Sequence, residues 1–145
     1  MNTVKQLLKA KDNTIFTTSP NSSVYSGLEL MAKNNIGALL ITENDRLVGI
    51  FSERDYARNV FLKGKSSKGT SIGEVMVRNV IYVTLGDDVE QCMALMTEKR
   101  IRHLPVLENE RKLVGVVSIG DVVKQIISEQ EFTIRELEKY IQGSY

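Results

Sequence analysis

The 145-residue sequence predicts an α+β protein: two copies of a β-α-β-β-α unit packed sheet to sheet about a pseudo-two-fold axis, followed by a C-terminal helix. Three observations predict it. "RLVGIFSERDYAR" (46–58) returns as "KLVGVVSIGDVVK" (112–124), so the chain carries an internal repeat. Apolar residues ahead of each copy fall at i, i+4, i+7, the stripe of an amphipathic helix. The strands between are apolar on both faces and need cover on both, which one short unit cannot supply by itself.

In chain order, the N-terminal stretch "MNTVKQLLKAKDN" has lysines and a few leucines but no h-region and no cleavage site. The expectation is therefore no secretory signal, no presequence and a cytoplasmic protein. Short β-like runs "TIFTT" (14–18) and "VIYVT" (80–84) precede the two helices. Val24, Leu28 and Met31 form the first helical stripe, with Ser22-Ser23 as cap candidates. Val89, Met93 and Met96 form the second, after Asp87-Asp88. Gly37 is expected to end the first helix. Strands follow at Ala38–Ile41 and Leu104–Leu107, then charged turns "TEND" and "ENER", then strands at Leu47–Phe51 and Leu113–Val117. A further helix starts at Ser52 or Ser118. The copies align with one single-residue gap, at Asp45, inside a polar turn where repeats tolerate length changes. The expected division is 1–62 (first repeat with an N-terminal helix), 63–71 (a Gly/Ser/Lys linker), 72–127 (second repeat) and 128–145. The last segment is a helix with Ile134, Leu137 and Ile141 on one stripe; Phe132, Tyr140 and Tyr145 are read as helix packing.

Composition excludes several classes. A formal charge of +1 gives no general attraction to nucleic acid or anionic membrane. The lone Cys92 cannot form an internal disulfide. No apolar run approaches the ~20 residues of a membrane-spanning helix. "GKSS" (64–67) resembles the end of a phosphate-binding loop, but Asn59 stands where its first glycine belongs and no strand leads in. No Cys/His cluster has zinc spacing, and the single histidine supports no Ser-His-Asp set.

Two short motifs carry the chemistry. Ser52-Glu-Arg-Asp55 and Ser118-Ile-Gly-Asp121 have the S-x-x-D form of a capping box, in which Ser caps the helix and the acid returns a hydrogen bond. A helix N-terminus also suits a phosphate, and a carboxylate beside it can accept hydroxyl donors. Arg54 and Arg58 flank Asp55, where the second copy has Gly120 and Lys124; Arg102 and His103 stand where the first has Gly37 and Ala38. Cations thus reach the two motifs from different positions. Arg54 in a first helical turn opposes the helix dipole, which a bound phosphate would relieve.

The apolar helix, "LPV"-like strand, charged turn, "LVG" strand and "S-x-x-D" resemble the CBS domain, present as a tandem pair (a Bateman module) over residues ~13–127. It is most similar to stand-alone CBS-pair proteins of bacteria and plant organelles. The resemblance implies two clefts between the repeats that bind adenine nucleotides (AMP, ADP, ATP or NAD), with S-adenosylmethionine a weaker candidate, and often a homodimer. It implies that Asp55 and Asp121 hold ribose and that Ser52 and Ser118 lie by the phosphate. Ile36-Gly37-Ala38 and Ile101-Arg102-His103 would flank adenine, and Ile50 and Val116 would sandwich it. The Asp121 cleft would draw on Thr17 or Thr18 and residues 36–38; the Asp55 cleft, on Val83 or Thr84 and residues 101–103. Leu40 departs from the pattern where the second copy has Pro105. The function implied is a non-catalytic nucleotide sensor acting on an unidentified protein partner. The alternative is a protein-binding regulatory module in which ligand is incidental.

Overall fold

A computed structural model describes residues 2–11 and 14–142. Its helices are α1 (Val4–Lys9), α2 (Val24–Asn34), α3 (Glu53–Tyr56), α4 (Ile72–Val75), α5 (Val89–Lys99) and α6 (Ile119–Ile141). Its strands are β1 (Thr17–Thr18), β2 (Ala38–Glu43), β3 (Arg46–Ser52), β4 (His103–Glu108) and β5 (Lys112–Ser118), in the order β1-β2-β3-β5-β4. The α+β class follows from both repeats.

Each helix starts where a side chain can take an orphan N–H. Ser23 caps α2 by accepting from Ser26 N, and Asp88 and Gln91 form a capping box at α5. Asn35 and Arg100, at φ 54° and 56°, end α2 and α5 in the left-handed conformation. The helix therefore stops two residues before Gly37. A left-handed Asn is common at this position, and its equivalence with Arg100 shows that the turn geometry repeats even where the residue type does not. β2 and β3 run antiparallel from Ala38↔Ser52 to Glu43↔Arg46. Asn44 and Asp45, both at positive φ, make the tight turn between them. The second hairpin has one more turn residue, with Glu110 and Arg111 at positive φ, so the alignment gap does fall in a turn.

Two β-like runs shrink. Of 14–18 only Thr17–Thr18 pairs, parallel to Leu40–Ile41. Of 80–84 only Val83 bridges, to Val106. Short edge segments with few partners contribute little ladder. The tail is corrected more substantially: residues up to 141 are not a separate element but continue α6, which runs unbroken from Ile119. No Gly or Pro interrupts 121–141, so nothing stops the helix at 128. Residues 143–145, including Tyr145, lie outside the described residues.

The chain forms two compact units that interleave in sequence. Of the described residues, one holds 14–82 and 107–114; the other, 2–11, 83–106 and 115–142. In the first, Val24, Met31, Leu39, Ile41, Phe51 and Ile72 share one core. Ile72 belongs to α4, which precedes the second repeat in sequence yet packs with the first. Its N–H donates to Ser22 O, and Val24 N donates to Thr70 O. The other unit repeats this arrangement: Val4 N donates to Asp87 O and Val89 N to Asn2 O. Thus α1, expected with the first repeat, packs with the second. The same capping box opens both inserted helices, Thr3 with Gln6 and Ser71 with Glu74. The division 1–62, 63–71, 72–127 follows the chain; packing crosses it twice. The expected flexible linker is partly anchored, with buried Thr70 and with Ser67 O accepting from Tyr25 N.

Candidate functional site

Both Ser–Asp motifs fold as capping boxes. Ser52 N and Ser52 Oγ each donate to Asp55 Oδ2 at 2.9 Å, and Asp55 N donates to Ser52 Oγ at 3.2 Å. Ser118 N donates to Asp121 Oδ2 at 2.9 Å and Asp121 N to Ser118 Oγ at 3.1 Å. Each carboxylate is partly buried and held at the start of a helix, oriented by backbone geometry and not by chance packing. Asp55 opens the four-residue α3, which passes into a π-helical turn over Ala57–Phe61; Asp121 opens the 23-residue α6.

The strand-entry segments lie beside the motif of their own repeat. Glu53 N donates to Gly37 O at 3.0 Å, and Ile119 N donates to Arg102 O at 2.8 Å. The reason is the hairpin register: with Ala38 opposite Ser52, the entry of β2 must sit at the exit of β3. A pocket of about 220 Å³ opens there, lined by Leu28, Met31, Ala32, Ile36, Gly37 and Glu53. Ile50 and Val116 are half-buried at equivalent strand positions.

Other expected residues are placed as follows. Thr17 is exposed, and Thr18 Oγ1 donates to Ser22 Oγ. Val83 is core, 2% exposed, so its side chain is not offered to a ligand. Thr84 N donates to Asp87 Oδ2, closing a turn. Arg54 and Arg58 are exposed, and no ion pair among the described residues engages either.

The second motif has a cation the sequence reading missed. Lys11 Nζ donates to Asp121 Oδ2 at 2.5 Å and to Val116 O at 3.0 Å. No local pattern could have found it: the pair is 110 residues apart, and Lys11 is one of several lysines in its stretch. Burial pushes the Asp121 carboxyl up, but the hydrogen bonds from Lys11 and Ser118 and the Lys11 charge hold it below its usual range. His103 is lowered by desolvation; Asp121 pulls it up, and Lys11 and Arg102 push it down. Lys11, Arg102, His103 and Asp121 therefore form one charge cluster. It can accept hydroxyl donors at the carboxylate and oppose an anion with the cations.

Two in-register hairpin-and-helix repeats, each closed by a Ser–Asp box, define a tandem-repeat α+β protein. The chain belongs to the CBS domain family, whose model matches residues 4–61 and again 72–128. It is 37% identical to the CBS domain-containing protein CBSX3, mitochondrial, of Arabidopsis thaliana, over 99% of this chain and 73% of that one. It is similar to a putative signal-transduction protein with CBS domains from Burkholderia ambifaria, at 50% identity and a TM-score of 0.79, covering 89% of this chain and 96% of that one. A CBS domain protein from Pyrobaculum aerophilum, solved complexed with AMP, matches at 26% identity and TM-score 0.71 over 82% and 88%. The CBS domain pair of protein MJ0100, in complex with 5′-methylthioadenosine and S-adenosyl-L-methionine, matches at 27% and 0.75 over 89% and 98%. Among the described residues, no helix is long and apolar enough to cross a membrane.

Proposed function

We propose that this protein is a non-catalytic regulatory sensor of adenine nucleotides, binding them at its two Ser–Asp turns. The observation that carries the reading is the duplicated, partly buried carboxylate at a helix start, with a strand entry hydrogen-bonded beside it. Asp55 and Asp121 accept the ribose hydroxyls. Ser52 and Ser118 face the phosphate. Residues 36–38 and 101–103, with Ile50 and Val116, flank the base. AMP, ADP, ATP and NAD are the candidate ligands, with S-adenosylmethionine behind them. The AMP and S-adenosylmethionine complexes of similar CBS proteins support an adenosine-bearing ligand.

A second reading, a module that regulates a protein partner with ligand incidental, is favoured by the exposed apolar stripe of α6. A thermal-shift panel of the five ligands separates the two. Saturable stabilisation following RT ln(1 + [L]/Kd) supports the sensor. Asp55→Asn and Asp121→Asn should each cost about 1–3 kcal/mol of binding at their own site, as for a charged hydrogen bond. Unchanged affinity in both variants sinks the ribose assignment.

A further inference from the structure

The two Ser–Asp turns are built alike but closed differently, at the carbonyl of one equivalent strand residue. In the first unit Val77 N donates to Ile50 O and Ile50 N to Val77 O, a two-way backbone bridge at 2.9 Å. In the second unit the carbonyl of Val116, the repeat partner of Ile50, accepts from the side chain of Lys11 at 3.0 Å. The same ammonium reaches Asp121 Oδ2 at 2.5 Å, with the two side chains 26% and 24% exposed. A backbone bridge is fixed by the fold. An ammonium on a four-carbon stem can leave by rotation, with its backbone still anchored by α1, where Ala10 N donates to Leu7 O.

We propose that Lys11 is a movable counter-ion that makes the Asp121 turn selective for phosphorylated nucleosides. This rests on the ribose reading given above. In this structure the ammonium sits on the Asp121 carboxylate, the group that the ribose reading assigns to the ribose hydroxyls. An incoming ribose displaces it, and the displaced charge needs a new anion. An uncharged nucleoside offers none. A nucleoside monophosphate carries one, and Lys11 joins Arg102 and His103, which already share its electrostatic field. The carboxylate thus changes donors, from ammonium to hydroxyls, while the ammonium changes acceptors, from carboxylate to phosphate. No bond is made or broken.

Calorimetry of the full-length chain carrying Asp55→Asn, so that one site is read, tests this with AMP and adenosine as probes. Lys11→Met should tighten adenosine and weaken AMP, lowering the ratio of their affinities by about tenfold or more. Lys11→Arg should restore the preference for AMP. If Lys11→Met does not fold, Lys11→Gln, which keeps a donor for Val116 O, gives the same comparison. An unchanged ratio, or equal weakening of both ligands, overturns the proposal and leaves Lys11 a structural tie. Binding of neither probe overturns this proposal, and binding of none of the five panel ligands overturns the sensor reading with it; AMP binding with an unchanged ratio overturns this proposal alone.

Discussion

At the scale of the residue, Asp121 takes a lysine where Asp55 takes only its own capping serine. Lys11 and Ser118 hold Asp121 in its charged form against the cost of partial burial. A carboxyl lowered below its ordinary 3.8 adds stability that is fully present above that value and fades as pH falls through the lowered one. In a His103→Gln background, which removes the histidine that Asp121 also shifts, the stability difference between Asp121 and Asp121→Asn should therefore be level above about pH 5 and shrink below about pH 4. Denaturation midpoints across that range check it. Cys92 is fully buried, and burial first, then the Asp87 charge, pushes its thiol up to about 11. It should resist alkylation at neutral pH in the folded chain and react once unfolded, as read by mass spectrometry. Gly49 shows why the first Leu-Val-Gly needs its glycine. A Cβ there would lie 2.6 Å from Met76 Sδ and 3.0 Å from Val77 O, where a segment crosses the strand. Gly49→Ala should cost about 1–3 kcal/mol by overpacking, measured by chemical denaturation.

At the scale of the element, α6 is anomalous. Its first turns are tied to the second unit through buried Val122 and the Ser118 cap. Beyond residue 126 it leaves Ile127, Phe132, Ile134, Leu137, Tyr140 and Ile141 exposed, the last at 81%. Phe132 and Tyr140, read as helix packing, lie on this exposed part of α6. Ile127, Ile134 and Ile141 recur every seven residues with Leu137 between, the spacing of a two-helix seam. Apolar area left in water forgoes about 25 cal/mol per Å². We therefore expect a homodimer that truncation of residues 130–145 weakens. Analytical ultracentrifugation should find dimer at micromolar concentration; a strict monomer counts against the expectation.

At the scale of the whole molecule, neither repeat is self-sufficient. The first unit needs α4 and residues 107–114 from downstream, and the second needs α1 from upstream. Val4, Leu7 and Ile72, all buried, are the apolar anchors of these inserted helices. Residues 1–62 or 72–145 expressed alone should accordingly fail to give a cooperative unfolding transition, and mixing the two fragments should recover part of it. Circular dichroism melts of each fragment and of the mixture read this directly. A fragment that melts cooperatively alone would show that the inserted helices are dispensable.

The sequence by itself determined most of what is local or periodic. The repeat was legible as a pattern that returns later in the chain, and the hairpins, the alignment gap in a turn and both capping boxes because each is fixed by residues close together in sequence. Hydrophobic period and cap chemistry act at that range. The extent of β1, lost from a five-residue run to Thr17–Thr18, was not legible, because pairing depends on a partner strand and not on propensity. Tertiary structure alone decided which unit each inserted helix joins and that Lys11 rests on Asp121. The first depends on contacts between distant segments, such as Val4 N with Asp87 O and Val24 N with Thr70 O, which a repeated pattern cannot distinguish. The second comes from a side chain meeting a carboxylate 110 residues away, where the chain between leaves no trace in either local pattern.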